Sequence, residues 1–265
     1  MRKIIEELIL ILRDVSLNDL DVIKWGAPIP FFGDPAIAQL ATLGLNPSDK
    51  EYTDNSGAEL ENNNRRFHTL NSLGIESWKK ITDDQLSLIE KSCTEYFLRN
   101  PYNSWFKPLD SIISGTSASY YNKLFHATHL DLIPFATKTK WANLKQRQKD
   151  ALLRSSEQIL GKILKESPIK VIVLNGRTVV ENFIKISNAN LEVEQIPDWD
   201  LSRSSVAKVK GFAYRGFVKR ISNINLDSPI LVLGFNHNIQ SSFGVTTKVR
   251  KSITDWVAKN SAEVI

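Results

Sequence analysis

Two polar turns close apolar runs in distant parts of this chain. Ala36-Ile-Ala-Gln-Leu-Ala-Thr-Leu-Gly-Leu-Asn-Pro-Ser48 reads as a buried strand entering a tight turn at Gly44-Leu45-Asn46-Pro47. Gly234-Phe-Asn-His-Asn238 ends a second apolar strand near the C-terminus. Open α/β sheets bind ligands at the carboxyl ends of their strands, so these turns imply one cleft assembled from both halves of the chain. A third polar residue, Asp131, interrupts the apolar run Leu130-Asp131-Leu132-Ile133. When ionised, its carboxylate accepts hydrogen bonds and donates none. The histidines make no metal pattern. His126 and His129, three apart on a strand, face opposite ways, and with His68 and His237 they match no known ligand spacing. Neither a Gly-x-x-x-x-Gly-Lys nor a Gly-x-Gly-x-x-Gly phosphate cradle occurs.

The elements that position these residues come from 265 residues with 42% hydrophobic content, enough for one large domain. The net charge of +5 fits a polyanionic partner without specifying one. The single cysteine, Cys93, excludes an intrachain disulfide, an iron–sulfur cluster and a cysteine-rich zinc site, and is expected as core filler. Glu6 and Glu7 interrupt the apolar N-terminal run, and no small-residue cleavage site follows, so no signal peptide is expected. No apolar segment reaches the length of a membrane span. The expectation is a cytoplasmic protein with no membrane partner.

Helical spacing covers 2–13, followed by a Pro- and Gly-rich approach loop at 26–35. A strand is expected near 37–44, then a polar, acidic loop at 49–64. Helical patterns follow at 66–73, 83–98 and 104–113. A second strand lies near 126–134, a long helix near 144–165, and a third strand at 169–176, ending in Asn-Gly. A helix starts near Thr178, a hairpin covers 206–224, a fourth core strand 230–235 and a last helix 245–258. Strands alternating with helices predict a parallel sheet covered on both faces. The expected fold is α/β: a three-layer αβα domain over residues 1–265 with a central, mostly parallel four-stranded sheet and a hairpin inserted at about 201–226.

Four segments together carry a resemblance. They are Gly44-Leu-Asn46-Pro-Ser48, Asn64-Arg-Arg-Phe67-His-Thr-Leu-Asn-Ser-Leu-Gly74, His126-Ala-Thr-His-Leu-Asp131-Leu-Ile-Pro134 and Gly234-Phe-Asn-His-Asn-Ile-Gln-Ser-Ser-Phe-Gly244. Over roughly residues 27–258 the chain resembles the uracil-DNA glycosylase superfamily, especially its mismatch-specific and single-strand-selective branches. There, a Gly-x-Asn-Pro-Gly turn follows the first strand and an Asn-Arg-Phe-Trp-like segment opens the next helix. A polar residue, usually Asn, ends the second strand. A His- or Asn-led loop before the last helix enters DNA.

The resemblance implies roles for these residues. Asn46 would present its side-chain carbonyl to a water aimed at the sugar C1′, where cleavage develops oxocarbenium character; the alternative is a turn Asn bonding its own backbone. Gly44, Leu45, Pro47 and Ser48 would line the base site, with Ser48 in place of the family's second glycine. Phe67 would stack on the flipped base, worth about 1–3 kcal/mol, unless it is a core aromatic. Asp131 stands where the family's Asn pairs with uracil O4 and N3–H. A carboxylate matches an exocyclic amine such as cytosine N4 and repels O4; the alternatives are a loop brace or a water activator. Asn236 or His237 would stabilise the leaving base near O2, although the family's His-Pro-Ser is Asn-His-Asn here. Ile239 and Gln240 would wedge into the DNA stack, and Ser241 and Ser242 would contact DNA or cap the helix. Arg65 and Arg66 would touch phosphate or stay solvated.

The stretch 201–226 holds Arg203, Lys208, Lys210, Arg215, Lys219 and Arg220 without an acidic residue, interleaved with Phe212, Tyr214 and Phe217. Basic charge among aromatics suits a nucleic-acid backbone and splayed bases. A second basic group, Lys138, Lys140, Lys145, Arg147 and Lys149, is left open between DNA contact and a solvated face. The expectation is a monomeric, monofunctional DNA glycosylase without metal or cofactor, which flips out its base. Asp131 points to a cytosine-derived base. Attack on ordinary cytosine would harm the host, so a modified, phage-specific cytosine and a defence role follow as hypotheses. The alternatives are a repair enzyme for uracil or a damaged pyrimidine, an inert nucleic-acid binder and a nucleoside hydrolase.

Overall fold

The computed structural model describes residues 1–122, 124–201, 209–240 and 244–265. In chain order it forms α1 (Arg2–Leu12), β1 (Phe31–Phe32), β2 (Leu40–Gly44), α2 (Asp83–Thr94), α3 (Asn103–Ile113) and β3 (Ala127–Asp131). Then come α4 (Gln146–Ser156), α5 (Ile159–Lys165), β4 (Val171–Asn175), α6 (Arg177–Ser187), β5 (Glu192–Gln195), β6 (Phe212–Ile221), β7 (Ile224–Phe235) and α7 (Thr247–Ser261). The strands make one seven-stranded sheet in the order β1-β3-β2-β4-β7-β6-β5. Its centre, β3-β2-β4-β7, is parallel, and β1, β6 and β5 pair antiparallel at the edges.

Every residue of β2, β3 and β4 is buried, so both faces of the central sheet are covered. That double burial is why these strands read as continuous apolar runs. The sheet has seven strands where the sequence reading expected a four-stranded centre with an inserted hairpin, whose first arm is β6. The additional ones carry no such signal: β1 is two residues at the end of a Pro-rich segment, and β5 is exposed at all four positions. Short charged edge strands of this kind resist edge-to-edge pairing.

The hairpin is not an insert beside a separate core strand. Residues 230–235 continue β7, which starts at Ile224 and is itself one arm of the hairpin with β6. Pro229 concealed this continuity, because proline cannot donate to a ladder. Here it lies where the β6–β7 register shifts, between the pairs Val218–Ile230 and Arg220–Asn225. A bulge removes the demand for its N–H.

The helix expected at 66–73 does not form. Thr69 and Ser72 exchange side-chain-to-backbone hydrogen bonds, Thr69 N–H to Ser72 Oγ at 2.8 Å and Ser72 N–H to Thr69 Oγ1 at 3.0 Å. Leu70 N–H donates to Trp25 and Ala27 N–H to His68. Such local bonds compete with helical ones. Strand β2 starts at Leu40 rather than 37, and the long helix at 144–165 divides into α4 and α5. Cys93 is a buried free thiol in the core. Among the described residues no helix is long and apolar enough to cross a membrane.

Helix α5 docks on the hairpin through Gly161. A Cβ there would stand 2.9 Å from Ile224 Cβ and 3.1 Å from Ile221 Cβ. Gly161→Leu gains about 1 kcal/mol of helix propensity against an overpacking cost of about 1–3 kcal/mol. The urea midpoint should fall; a raised midpoint would mean that the contact yields freely.

Candidate active site

The register brings the carboxyl ends of the parallel strands level. Gly44 pairs with Asp131, Leu43 with Leu174, and Asn175 with Phe235. Pairing continues past the end of β2, because Leu132 N–H donates to Gly44 O and Ile133 N–H to Leu45 O. A side chain at 44 would strike Asp131 Oδ1 and come within 3.0 Å of His129 Nε2. Glycine at this position therefore makes the room that the Asp131 carboxylate occupies. Gly176, at φ +99°, adopts a backbone that side chains disfavour and turns the chain from β4 into α6 directly after Asn175.

Asn46 is half-buried, and its amide Nδ2 donates to Pro47 O at 3.1 Å, Thr137 Oγ1 at 3.2 Å and Phe135 O at 3.5 Å. The Pro47 and Phe135 carbonyls only accept, which fixes the amide orientation and leaves Oδ1 as an acceptor with no partner among the described residues. The turn borders two neighbouring cavities whose walls share Asn46, Pro47, Ser48 and Trp105. The outer cleft, about 300 Å³, adds Lys138, Lys140, Trp141, Asn175, Asn238 and Gln240 among its walls. The inner pocket, about 50 Å³, reaches Phe32, Glu51, Tyr102, Phe106, His129 and Asp131.

The inner pocket is built around charge in an apolar wall. His129 Nε2 lies 3.4 Å from Asp131 Oδ1, both side chains being almost wholly buried. His129 Nδ1 is 2.7 Å from Thr42 Oγ1, which lies 2.5 Å from the Tyr120 hydroxyl. Trp105, Phe106 and Phe32 surround the imidazole with ring centroids at 4.9, 5.4 and 5.5 Å. Glu51 is only 3% exposed. Burial raises its carboxyl from 4.5 to about 7; the hydrogen bond from Tyr96 and the charge of Arg66 oppose the rise, and Asp131 adds to it.

Several residues expected at the site are committed elsewhere. Phe67 is 1% exposed, stacks on Tyr96 at 5.1 Å and lines neither cavity. It is a core aromatic, because the helix that would have presented it does not form. Asn236 clamps the start of β6: its Oδ1 accepts from Phe212 N–H and its Nδ2 donates to Lys210 O, both at 2.8 Å. His237 is buried with Nε2 2.6 Å from the Trp199 carbonyl, and burial lowers its pKa against the pull of that bond and of Asp200. Ile239 is 3% exposed, so it is no protruding wedge. From this loop, Asn238 and Gln240 line the cleft instead.

The two arginines before Phe67 also lie outside the cleft. Arg66 is half-buried, donates to the carbonyls of Lys50 at 2.6 Å and Asn100 at 3.0 Å, and sits over the Tyr102 ring. Arg65 and Arg215 are half-buried, each with an Nε that has no partner among the described residues. Lys210 is exposed away from both cavities. Lys208, Ser241, Ser242 and Arg203 lie outside the described residues. The second basic group does reach the site, because Lys138 and Lys140 stand at the cleft wall.

The sequence reading missed Glu51, His129 and Asn175. His129 and Asp131 are two apart on β3 and share a face, a signal that was present. Asn175 is a polar residue ending a core strand. It is 7% exposed, its Nδ2 donates to Gln240 Oε1 at 2.8 Å, and its Oδ1 has no partner among the described residues. Glu51 gave no signal within its acidic stretch. Among the described residues no His, Cys, Asp and Glu cluster could hold a metal ion. Comparison with protein-family models and with curated protein sequences finds no match.

Glu51 also gives a stability prediction. Its folded pKa lies above the unfolded one, so the fold binds the extra proton between the two values. That contribution is complete below about pH 4.5 and lost as pH rises through about 7. Relative to Glu51→Gln, the wild type should lose about 3 kcal/mol from pH 4 to 8 in urea denaturation. The titrations of His68 and His237 cancel in this difference. A constant difference would mean that Glu51 titrates normally.

Proposed function

We propose that the protein is a monofunctional DNA glycosylase that excises a flipped, non-canonical pyrimidine, in a single-domain fold of the uracil-DNA glycosylase type. The observation that carries this is the convergence of Asn46 and Asp131, from adjacent parallel strands, on the inner pocket, with no hydrogen-bond partner to Asn46 Oδ1 among the described residues. This carbonyl suits a water positioner. The water oxygen bonds to C1′, the C1′–N1 pair leaves with the base, and the water proton passes to solvent.

The base edge would enter the inner pocket and meet Asp131, with Phe32, Tyr102 and Trp105 supplying the aromatic contacts first assigned to Phe67. Asn238 takes the place of Asn236 and His237 beside the leaving base. Lys138 and Lys140, neither with an ion-pair partner among the described residues, face the cleft and suit the flanking phosphates. DNA as partner, a monomeric state, a cytoplasmic site of action and a modified cytosine as target belong to the same proposal, as does a role in defence against phage.

The test is a panel of single- and double-stranded DNAs carrying uracil, thymine mismatches, or plain, hydroxymethylated and glucosylated cytosine, scored for alkali-labile breaks. Breaks should require a base with an N4 amine and fall at least about a hundredfold in Asn46→Ala. Asp131→Asn should shift preference toward uracil by about tenfold, the worth of a good base-edge contact. Tight DNA binding without breaks on any member would favour the inert binder instead.

A further inference from the structure

The inner pocket holds a carboxyl that this reaction has not yet used. Glu51 ends the short 3₁₀ turn Asp49–Glu51 that follows the Asn46 turn, and it lines the pocket beside Asp131. The Tyr96 hydroxyl lies 2.8 Å from Glu51 Oε2 and accepts from Tyr102 N–H at 2.9 Å. The backbone N–H only donates, so the tyrosine directs its own hydrogen to Oε2. A proton held by Glu51 therefore sits on Oε1, which has no hydrogen-bond partner among the described residues.

The ionisable groups around Glu51 among the described residues are Tyr96, Tyr52, Tyr102, Arg66, His129 and Asp131. Arg66, whose charge acts on it, is engaged by the Lys50 and Asn100 carbonyls. Burial and the neighbouring Asp131 both disfavour a second negative charge in this pocket.

Resting on the glycosylase reading, we propose that Glu51 is a specificity-determining hydrogen-bond donor, whose Oε1–H meets an unprotonated ring nitrogen adjacent to the amine taken by Asp131. A donor beside an acceptor matches an aminopyrimidine edge, in which an exocyclic amine adjoins a bare N3. It opposes a uracil-type edge, where both sites are inverted. In the reaction the Glu51 proton moves to N3 as the C1′–N1 pair enters the ring. The base leaves neutral, and the carboxylate is reprotonated from solvent, which has taken up the proton of the attacking water.

The test titrates free cytosine and free uracil into the full-length protein by calorimetry at pH 6 and pH 8, for wild type, Glu51→Gln and Glu51→Ala. Wild type should prefer cytosine and lose about tenfold in its affinity between the two pH values, as a donor titrating near neutrality requires. Glu51→Gln should keep the preference and lose the pH dependence, because its amide donates from the same place in both states. Glu51→Ala should bind cytosine weakly throughout; if it fails to fold, the Gln variant decides. Wild-type binding that is flat with pH, a Gln variant that titrates like wild type, or no binding of either base would overturn the proposal. Base release from DNA is scored separately. Release with pH-flat binding removes the role of Glu51 alone. pH-dependent cytosine binding without release removes the glycosylase reading and leaves the edge recognition standing.

Discussion

The site depends on a steric exchange between two neighbouring strands. Asp131 can end β3 inside an apolar wall only because position 44, its partner across the ladder, has no side chain. The space a Cβ would take is filled by the carboxylate. Asn46 then follows two residues later, at the level of the same cavity. A side chain at 44 would displace Asp131 and His129 together, and with them the polar end of the pocket. The four parallel strands hold this juxtaposition, since their shared register sets all the strand ends at one level.

Burial does the remaining work. The inner pocket concentrates two carboxyls and an imidazole among Phe32, Tyr102, Trp105 and Phe106. In so dry a place charge is costly unless it is paired or hydrogen-bonded. His129 stands against Asp131 on one side and the Thr42–Tyr120 hydroxyls on the other. Glu51, held by one tyrosine and beside a second carboxylate, keeps its proton to near neutral pH. The same surroundings that burden an empty pocket reward a ligand whose edge supplies the missing partners. Asn175 repeats this logic in the outer cleft, where its buried Oδ1 has no hydrogen-bond partner among the described residues.

The parts legible in the sequence were those where composition and periodicity agree. β2, β3 and β4 are apolar runs because both faces are covered, and Gly44, Asn46 and Asp131 mark their ends. The illegible parts are those where tertiary context prevails. Nothing local identifies the exposed strand β5, and Pro229 reads as a break until the bulge beside it is known. The helix at 66–73 lost to the mutual bonds of Thr69 and Ser72, which placed Phe67 in the core. In the loop after β7 the sequence directed attention to Asn236 and His237, yet both turn inward to the protein, and Asn238 faces the cleft. Glu51 lies in an acidic run none of whose other carboxylates is buried, so only the fold distinguishes it.

In the proposed reaction Asn46 and Asp131 serve one act of base removal. Mass spectrometry of the small molecules released from modified-cytosine DNA tests it most directly. A free pyrimidine base bearing an exocyclic amine should be released, and none when Asn46→Ala replaces the wild type. Release of nucleotides, or of no base at all from any DNA, would contradict it.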